Sequence, residues 1–137
     1  MTRMQELCRL AGAEGAVLLK NNHQALPIRE GETVSIFGRI QLDYYKSGTG
    51  SGGLVNVDYV VDIPEGLKTA EGIHVNEELY NTYAAWENDH PFDRGKGWAQ
   101  EPFCQEEMPV SDELAAKAAK ESDLAPVSYT HLRAHET

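Results

Sequence analysis

The sequence has no apolar run long enough to cross a bilayer. It does not open like a secretory leader either, because Met1 is followed by Thr-Arg-Met-Gln-Glu-Leu rather than a charged and then apolar stretch. Cysteine is scarce: Cys8 and Cys104 stand far apart, with no CxxC pair and no His/Cys cluster. That excludes the ligand spacing of a zinc site and leaves two reduced thiols as the expectation. Basic charge is in the minority, 12 Lys and Arg against 22 Asp and Glu, for a formal net charge of -10. A nucleic-acid partner would want a basic face, so that class is excluded along with a membrane-spanning one. What remains is a cytoplasmic protein that handles neutral small molecules, with no metal and no cofactor.

What is present suffices for one domain. The chain has 137 residues, of which 41% are hydrophobic and 25% charged, an ordinary globular balance. Met4, Leu7, Cys8 and Ala11 fall at helical spacing behind a Thr2 cap, and Gly12 and Gly15 allow that helix to end. Residues 16–20 (AVLLK) are a short apolar run. Residues 33–37 (TVSIF), β-branched and aromatic and stopped by Gly38, form the best strand in the sequence. Residues 56–62 are weakly strand-like, Pro64 opens a short helix, and residues 71–75 suit a short strand.

Asn76 caps a helix carrying Leu79, Tyr83 and Trp86 on one face. Residues 88–108 are polar, contain Pro91 and Pro102, and read as a long irregular excursion. Ser111 caps a last helix over 112–121, with acids in its first turn and lysines near its end. Alternating helices and buried strands predict an α/β fold, an incomplete layered α/β sandwich of flavodoxin-like type with helices on a mostly parallel sheet. Its domain is expected to span 1–125. The strand that should follow the last helix is expected to be missing, leaving a sheet edge unpaired.

Residues 126–137 fit that design poorly. The string Val-Ser-Tyr-Thr-His-Leu-Arg-Ala-His-Glu-Thr from Val127 resembles one reading frame of a transposase-type sequencing adapter. The expectation is an unstructured artefactual tail, in which His131 and His135 are no metal site.

The densest loop chemistry lies between Gly38 and Gly53. It holds Arg39, Asp43, Tyr44, Tyr45, Lys46 and the run Ser-Gly-Thr-Gly-Ser-Gly-Gly from Ser47. Gly48, Gly50 and Gly53 make a formal GxGxxG, but about ten residues separate it from the strand and no convincing helix follows, so a nucleotide site is disfavoured. The plain reading is a flexible turn. The functional reading is a backbone that lets a ligand come close, with tyrosine faces suited to a sugar. Asp43, Asp58, Asp62, Glu106 and Glu107 are all available carboxylates, and spacing selects no pair among them. Trp98 is either a loop platform or a packing residue; His23, His74 and His90 are expected to be structural.

Glu14-Gly-Ala-Val-Leu-Leu-Lys-Asn, the turn to Leu26-Pro-Ile28, Val34-Ser-Ile-Phe-Gly38 and the run from Gln41 to Asn56 resemble the start of the α/β-sandwich domain of family 3 glycoside hydrolases. Ile63-Pro-Glu-Gly-Leu67 and the 112–123 region fit as well, so the resemblance covers about residues 4–125. It implies a parent enzyme of β-glucosidase type, hydrolysing terminal β-linked sugars with retention. Its Asp nucleophile would lie on a (β/α)8 barrel and its Glu acid/base further along the sandwich. Neither matches a residue here, so no catalytic residue is assigned and the chain alone is expected to be inactive. The resemblance places a substrate-binding role on Lys46, Ser47, Gly48, Thr49, Gly50 and Ser51. Because the pattern begins near Met1, it suggests the sandwich-first domain order, with the barrel downstream as the missing partner. The alternative from another class is a stand-alone sugar- or anion-binding α/β module.

Overall fold

The computed structural model describes residues 2–44, 56–97, 100, 102 and 104–128. Among the described residues, four α-helices and a small parallel sheet follow in the order α1 (Arg3–Gly15), β1 (Thr33–Val34), α2 (Ile63–Lys68), β2 (His74–Val75), α3 (Glu77–Asp89) and α4 (Asp112–Glu121). Short 3-10 turns occupy Asn22–Gln24 and Arg39–Gln41. The helices and the parallel sheet are of the expected α/β class. Among the described residues no helix is long and apolar enough to cross a membrane.

β1 pairs with β2 in parallel, Thr33 against His74 and Val34 against Val75. α2 makes the crossover and packs on β2. Each helix begins where the sequence supplies a cap. Thr2 and Gln5 close a reciprocal capping box on α1, while Asp62, Asn76 and Ser111 accept a backbone N–H from the first turns of α2, α3 and α4. The weakly strand-like residues 56–62 form no strand; they lie largely exposed until Asp62 caps α2.

The other edge of β1 carries a correction. The strand expected to be missing after α4 is present in outline, because residues 124–128 run parallel to β1 and its extension. Ser35 N–H donates to Leu124 O at 2.9 Å, Phe37 N–H to Pro126 O at 2.9 Å, and Ser128 N–H to Phe37 O at 3.0 Å. The backbone pairing along this edge reaches Ser128. Backbone pairing asks little of side-chain identity, and Pro126 contributes its carbonyl, the one main-chain hydrogen-bonding group a proline has. Residues 129–137, including His131 and His135, lie outside the described residues.

The core sits between this sheet and α3 with α4. Leu79, Tyr83, Met108 and Ala118 are buried together, with Phe37, Leu42, Trp86 and Leu114 packed against them. The expected α3 face is thus the observed one. The apolar face of α1 has a different fate: no residue of that helix is buried. Residues 16–20 are equally exposed, Leu19 at 91%.

Candidate functional site at the carboxyl end of β1

In an open parallel sheet, ligands gather outside the carboxyl ends of the strands. Here that end is built by the residues following β1. Gly38 has φ +100°, and a Cβ at this position would stand 1.9 Å from Ser128 O. Only glycine fits so close to the neighbouring backbone. Its N–H donates to the buried Tyr83 hydroxyl at 3.0 Å, which ties the strand end to α3.

The chain then turns through Arg39–Gln41, and all three residues are buried. Gln41 Nε2 donates to Ile36 O at 2.9 Å and Gly38 O at 3.0 Å, closing the turn on itself. Arg39 is 1% exposed. A buried guanidinium persists only when its donors are used and its charge is met. Nη1 donates to Glu106 O at 2.9 Å; Nη2 donates to His90 O at 2.8 Å and to Glu87 Oε1 at 3.3 Å. Trp86 and Phe92 approach the guanidinium with their rings, at 5.1 and 5.4 Å to their centroids. His90 stacks on Trp86 at 4.3 Å, and its Nδ1 lies 2.9 Å from Trp86 O. The Arg39 backbone N–H donates to Glu107 Oε2 at 2.9 Å. Arg39 Nε and Gln41 Oε1 are buried without a hydrogen-bond partner among the described residues.

Arg39 thereby gathers three distant stretches: the turn after β1, the end of α3, and residues 90–107. The irregular excursion is held by its own polar contacts as well. Asp93 N–H donates to Gln105 Oε1 at 2.9 Å and Gln105 Nε2 donates to Asp93 O at 2.7 Å. Just outside the Arg39 cage, Arg94 Nη2 donates to Asp43 Oδ1 at 2.5 Å. The Asp43 carboxyl is also an electrostatic neighbour of Glu87. The Glu87 side chain is 21% exposed. Burial first, and then the Asp43 carboxyl, push the Glu87 carboxyl above the usual glutamate range, while Arg39 pulls it back in part.

The sequence candidates fare unequally. Lys46, Ser47, Gly48, Thr49, Gly50 and Ser51, with Tyr45 and Trp98, lie outside the described residues. Tyr44 is described and is exposed rather than core. Asp43 and Glu107 are brought to the Arg39 cluster, and Glu106 joins it through its carbonyl, its carboxylate staying exposed 3.9 Å from His90 Nε2. Asp58 is exposed and Asp62 is spent as the cap of α2. No cluster of three or more His, Cys, Asp or Glu suited to a metal occurs among the described residues. Sequence reasoning named Arg39 only as part of the dense loop stretch, without a role, and missed Glu87. The available signal was a charged residue directly behind a buried strand and its glycine, a place where burial demands a partner.

Residues 16–136 match the glycosyl hydrolase family 3 C-terminal domain. The chain is 54% identical over 113 residues to a β-glucosidase of Ruminococcus albus, covering 82% of this chain and 12% of that protein. It is 34% identical over 125 residues to β-glucosidase A of Butyrivibrio fibrisolvens, covering 90% of this chain and 14% of that one. Among solved structures, a Paenibacillus barengoltzii β-glucosidase superposes with a TM-score of 0.84 at 54% identity, over 93% of this chain and 14% of that one. β-Glucosidase 3B of Thermotoga neapolitana, in complex with glucose, superposes at 0.72 with 30% identity, over 93% of this chain and 18% of that one. The chain therefore spans roughly an eighth of the length of the two relatives matched by sequence.

Proposed function

We propose, because the chain belongs to the glycosyl hydrolase family 3 C-terminal domain family, that it is the sugar-facing α/β part of a cytoplasmic, retaining β-glycosidase of β-glucosidase type. The observation that carries this is the 54% identity to a β-glucosidase over most of the chain. The substrate is a small glucoside with a terminal β-linked sugar. Lys46, Ser47, Gly48, Thr49, Gly50 and Ser51 contact it, glycine backbone letting the ring come near while hydroxyls and amides hydrogen-bond it.

Retaining hydrolysis needs two carboxyl groups about 5 Å apart across the scissile bond, one as nucleophile and one as acid and then base. Asp43 and Glu87 do not supply that arrangement. Each is engaged by an arginine instead, Glu87 by Arg39 and Asp43 by Arg94. The nucleophile and the acid/base belong to the (β/α)8 barrel and the remaining sandwich of the parent enzyme.

The test is a pair of measurements on the purified chain. Glucose titration followed by amide NMR should shift resonances of Lys46–Ser51, and p-nitrophenyl β-glucoside should release no p-nitrophenol above a blank. Resonances of 46–51 indifferent to glucose would remove their binding role. Turnover by the chain would mean that the catalytic carboxylates lie inside it.

A further inference from the structure

We propose that residues 16–20 are a strand awaiting its sheet, and that the edge they pair with belongs to the part of the parent's α/β sandwich that this chain does not contain. The inference rests on the reading of the chain as one part of a longer family 3 enzyme, and it adds how the two parts join.

The segment is built as a strand. Ala16 is already extended, with φ −76° and ψ 129°. Val17, Leu18 and Leu19 follow one another, so a strand here is apolar on both faces. That is the pattern of a strand buried on both sides of a sheet. Its limits are set locally. The capping box at Thr2 fixes α1 before it. After it, Asn21 closes a turn: Nδ2 donates to Leu26 O at 2.7 Å, and Oδ1 accepts the Leu26 N–H at 3.0 Å. Yet Val17, Leu18 and Leu19 are 78, 61 and 91% exposed. Among the described residues, no backbone–backbone hydrogen bond reaches 17–20. α1 shares this state, since none of its residues is buried. A helix followed by a strand is the unit from which α/β layers are made. Here that unit is formed by its own sequence while its apolar surface stands in water.

The choice of partner follows from what can offer a strand edge. β1 cannot accept the segment, because β2 occupies one of its edges and residues 124–128 the other. The chain spans 12% and 14% of the two relatives matched by sequence, so most of an enzyme of that kind lies outside it. Two parts of the parent are available, the barrel and the remaining sandwich. A closed barrel has no free edge, whereas an open sheet ends in one. Backbone pairing therefore assigns 16–20 to the sandwich, with α1 laid against the same sheet. Main-chain hydrogen bonds would supply the join, and the alternating side chains Val17 and Leu19 against Leu18 its register.

Amide hydrogen exchange reads this pairing directly, because a ladder N–H is protected and a solvated one is not. In the 137-residue chain at low concentration, the amides of 17–20 should exchange like those of an unstructured peptide, while Ser35 and Phe37 are protected. The comparison is a full-length Paenibacillus barengoltzii β-glucosidase whose matching stretch is replaced by residues 16–128 of this chain. There, at least alternate amides of 17–20 should slow by roughly a hundredfold or more. Proline removes a ladder donor. At least one of Leu18→Pro and Leu19→Pro should lower the urea midpoint of the chimera, and neither should move that of the 137-residue chain. Fast exchange at 17–20 in the chimera overturns the proposal, as does protection of these amides in the dilute isolated chain. Equal protection in the concentrated isolated chain would make a second copy the partner and overturn it too. If the chimera fails to fold, a graft of residues 16–20 alone into the same enzyme is read in the same way and decides. No sugar enters these samples, so failure here is separable from failure of the sugar reading, which the glucose titration reports.

Discussion

Arg39 is the residue on which the site depends most. Removing one partner of a buried pair strands the other, and such losses run to about 3–5 kcal/mol. Arg39→Ala would strand Glu87 and two backbone carbonyls together. Its urea midpoint should fall accordingly. Arg39→Lys should recover little, since an ammonium cannot reach in two directions with a planar fork. Glu87 adds a pH dependence whose sign follows from its direction of shift. Its folded value lies above its unfolded one, so the folded state binds the extra proton. The associated stability is fully present below the unfolded value of about 4.3 and is lost as pH rises through the folded value. Urea unfolding of the wild-type chain should therefore show stability falling across that window relative to Glu87→Gln. Equal pH slopes for the two proteins would contradict the raised value.

At the scale of elements, caps and close approaches decide more than helix propensity. Ser111 accepts the Leu114 N–H at 3.2 Å, and Ser111→Ala should cost about 1 kcal/mol in chemical denaturation. Asn76→Ala should cost more than the same change at Ser111. Asn76 is buried and also donates to Ser35 Oγ at 3.0 Å and Glu121 Oε2 at 3.3 Å, so three elements lose a link at once. Gly38→Ala should break the pairing of Phe37 with residues 126–128, because a Cβ 1.9 Å from a backbone oxygen has nowhere to go. Faster amide exchange at Phe37 and Ser128 in the alanine variant would register it.

These same elements show what was legible in the sequence. Thr2, Asn76 and Ser111 announced their helices because a cap is a local device, read within four residues. The α3 face was legible because Leu79 and Tyr83 keep helical spacing. The strand was legible from its β-branched run, though it is assigned only at Thr33–Val34 with an isolated bridge at Phe37, whereas the pairing of 124–128 was not, since Pro126 and Ser128 join by backbone groups that carry no side-chain signature. The Arg39 cluster was illegible for a related reason. Its partners Glu87, His90 and Glu106 lie 48 to 67 residues away, and nothing local marks a charge that the fold will bury.

For the molecule as a whole, the uneven distribution of burial is the main fact. The core joins the sheet to α3 and α4, while α1 and residues 16–20 expose Met4, Leu7, Leu10, Val17, Leu18 and Leu19. Burying such side chains is worth roughly 1.5–3 kcal/mol each, so an arm that leaves them in water contributes almost nothing to the domain's stability. Two consequences separate cleanly. Deleting residues 2–20 should leave the urea midpoint of the remaining chain nearly unchanged, because no residue of α1 is buried. The intact chain, in contrast, should bind a hydrophobic dye and self-associate with concentration, since contiguous exposed apolar surface seeks cover. Leu7→Glu combined with Leu19→Glu should suppress both behaviours in dye-binding and sedimentation measurements without moving the urea midpoint. A midpoint that drops with the double substitution would mean that the arm packs on the domain in solution, and that the core extends beyond the sheet, α3 and α4.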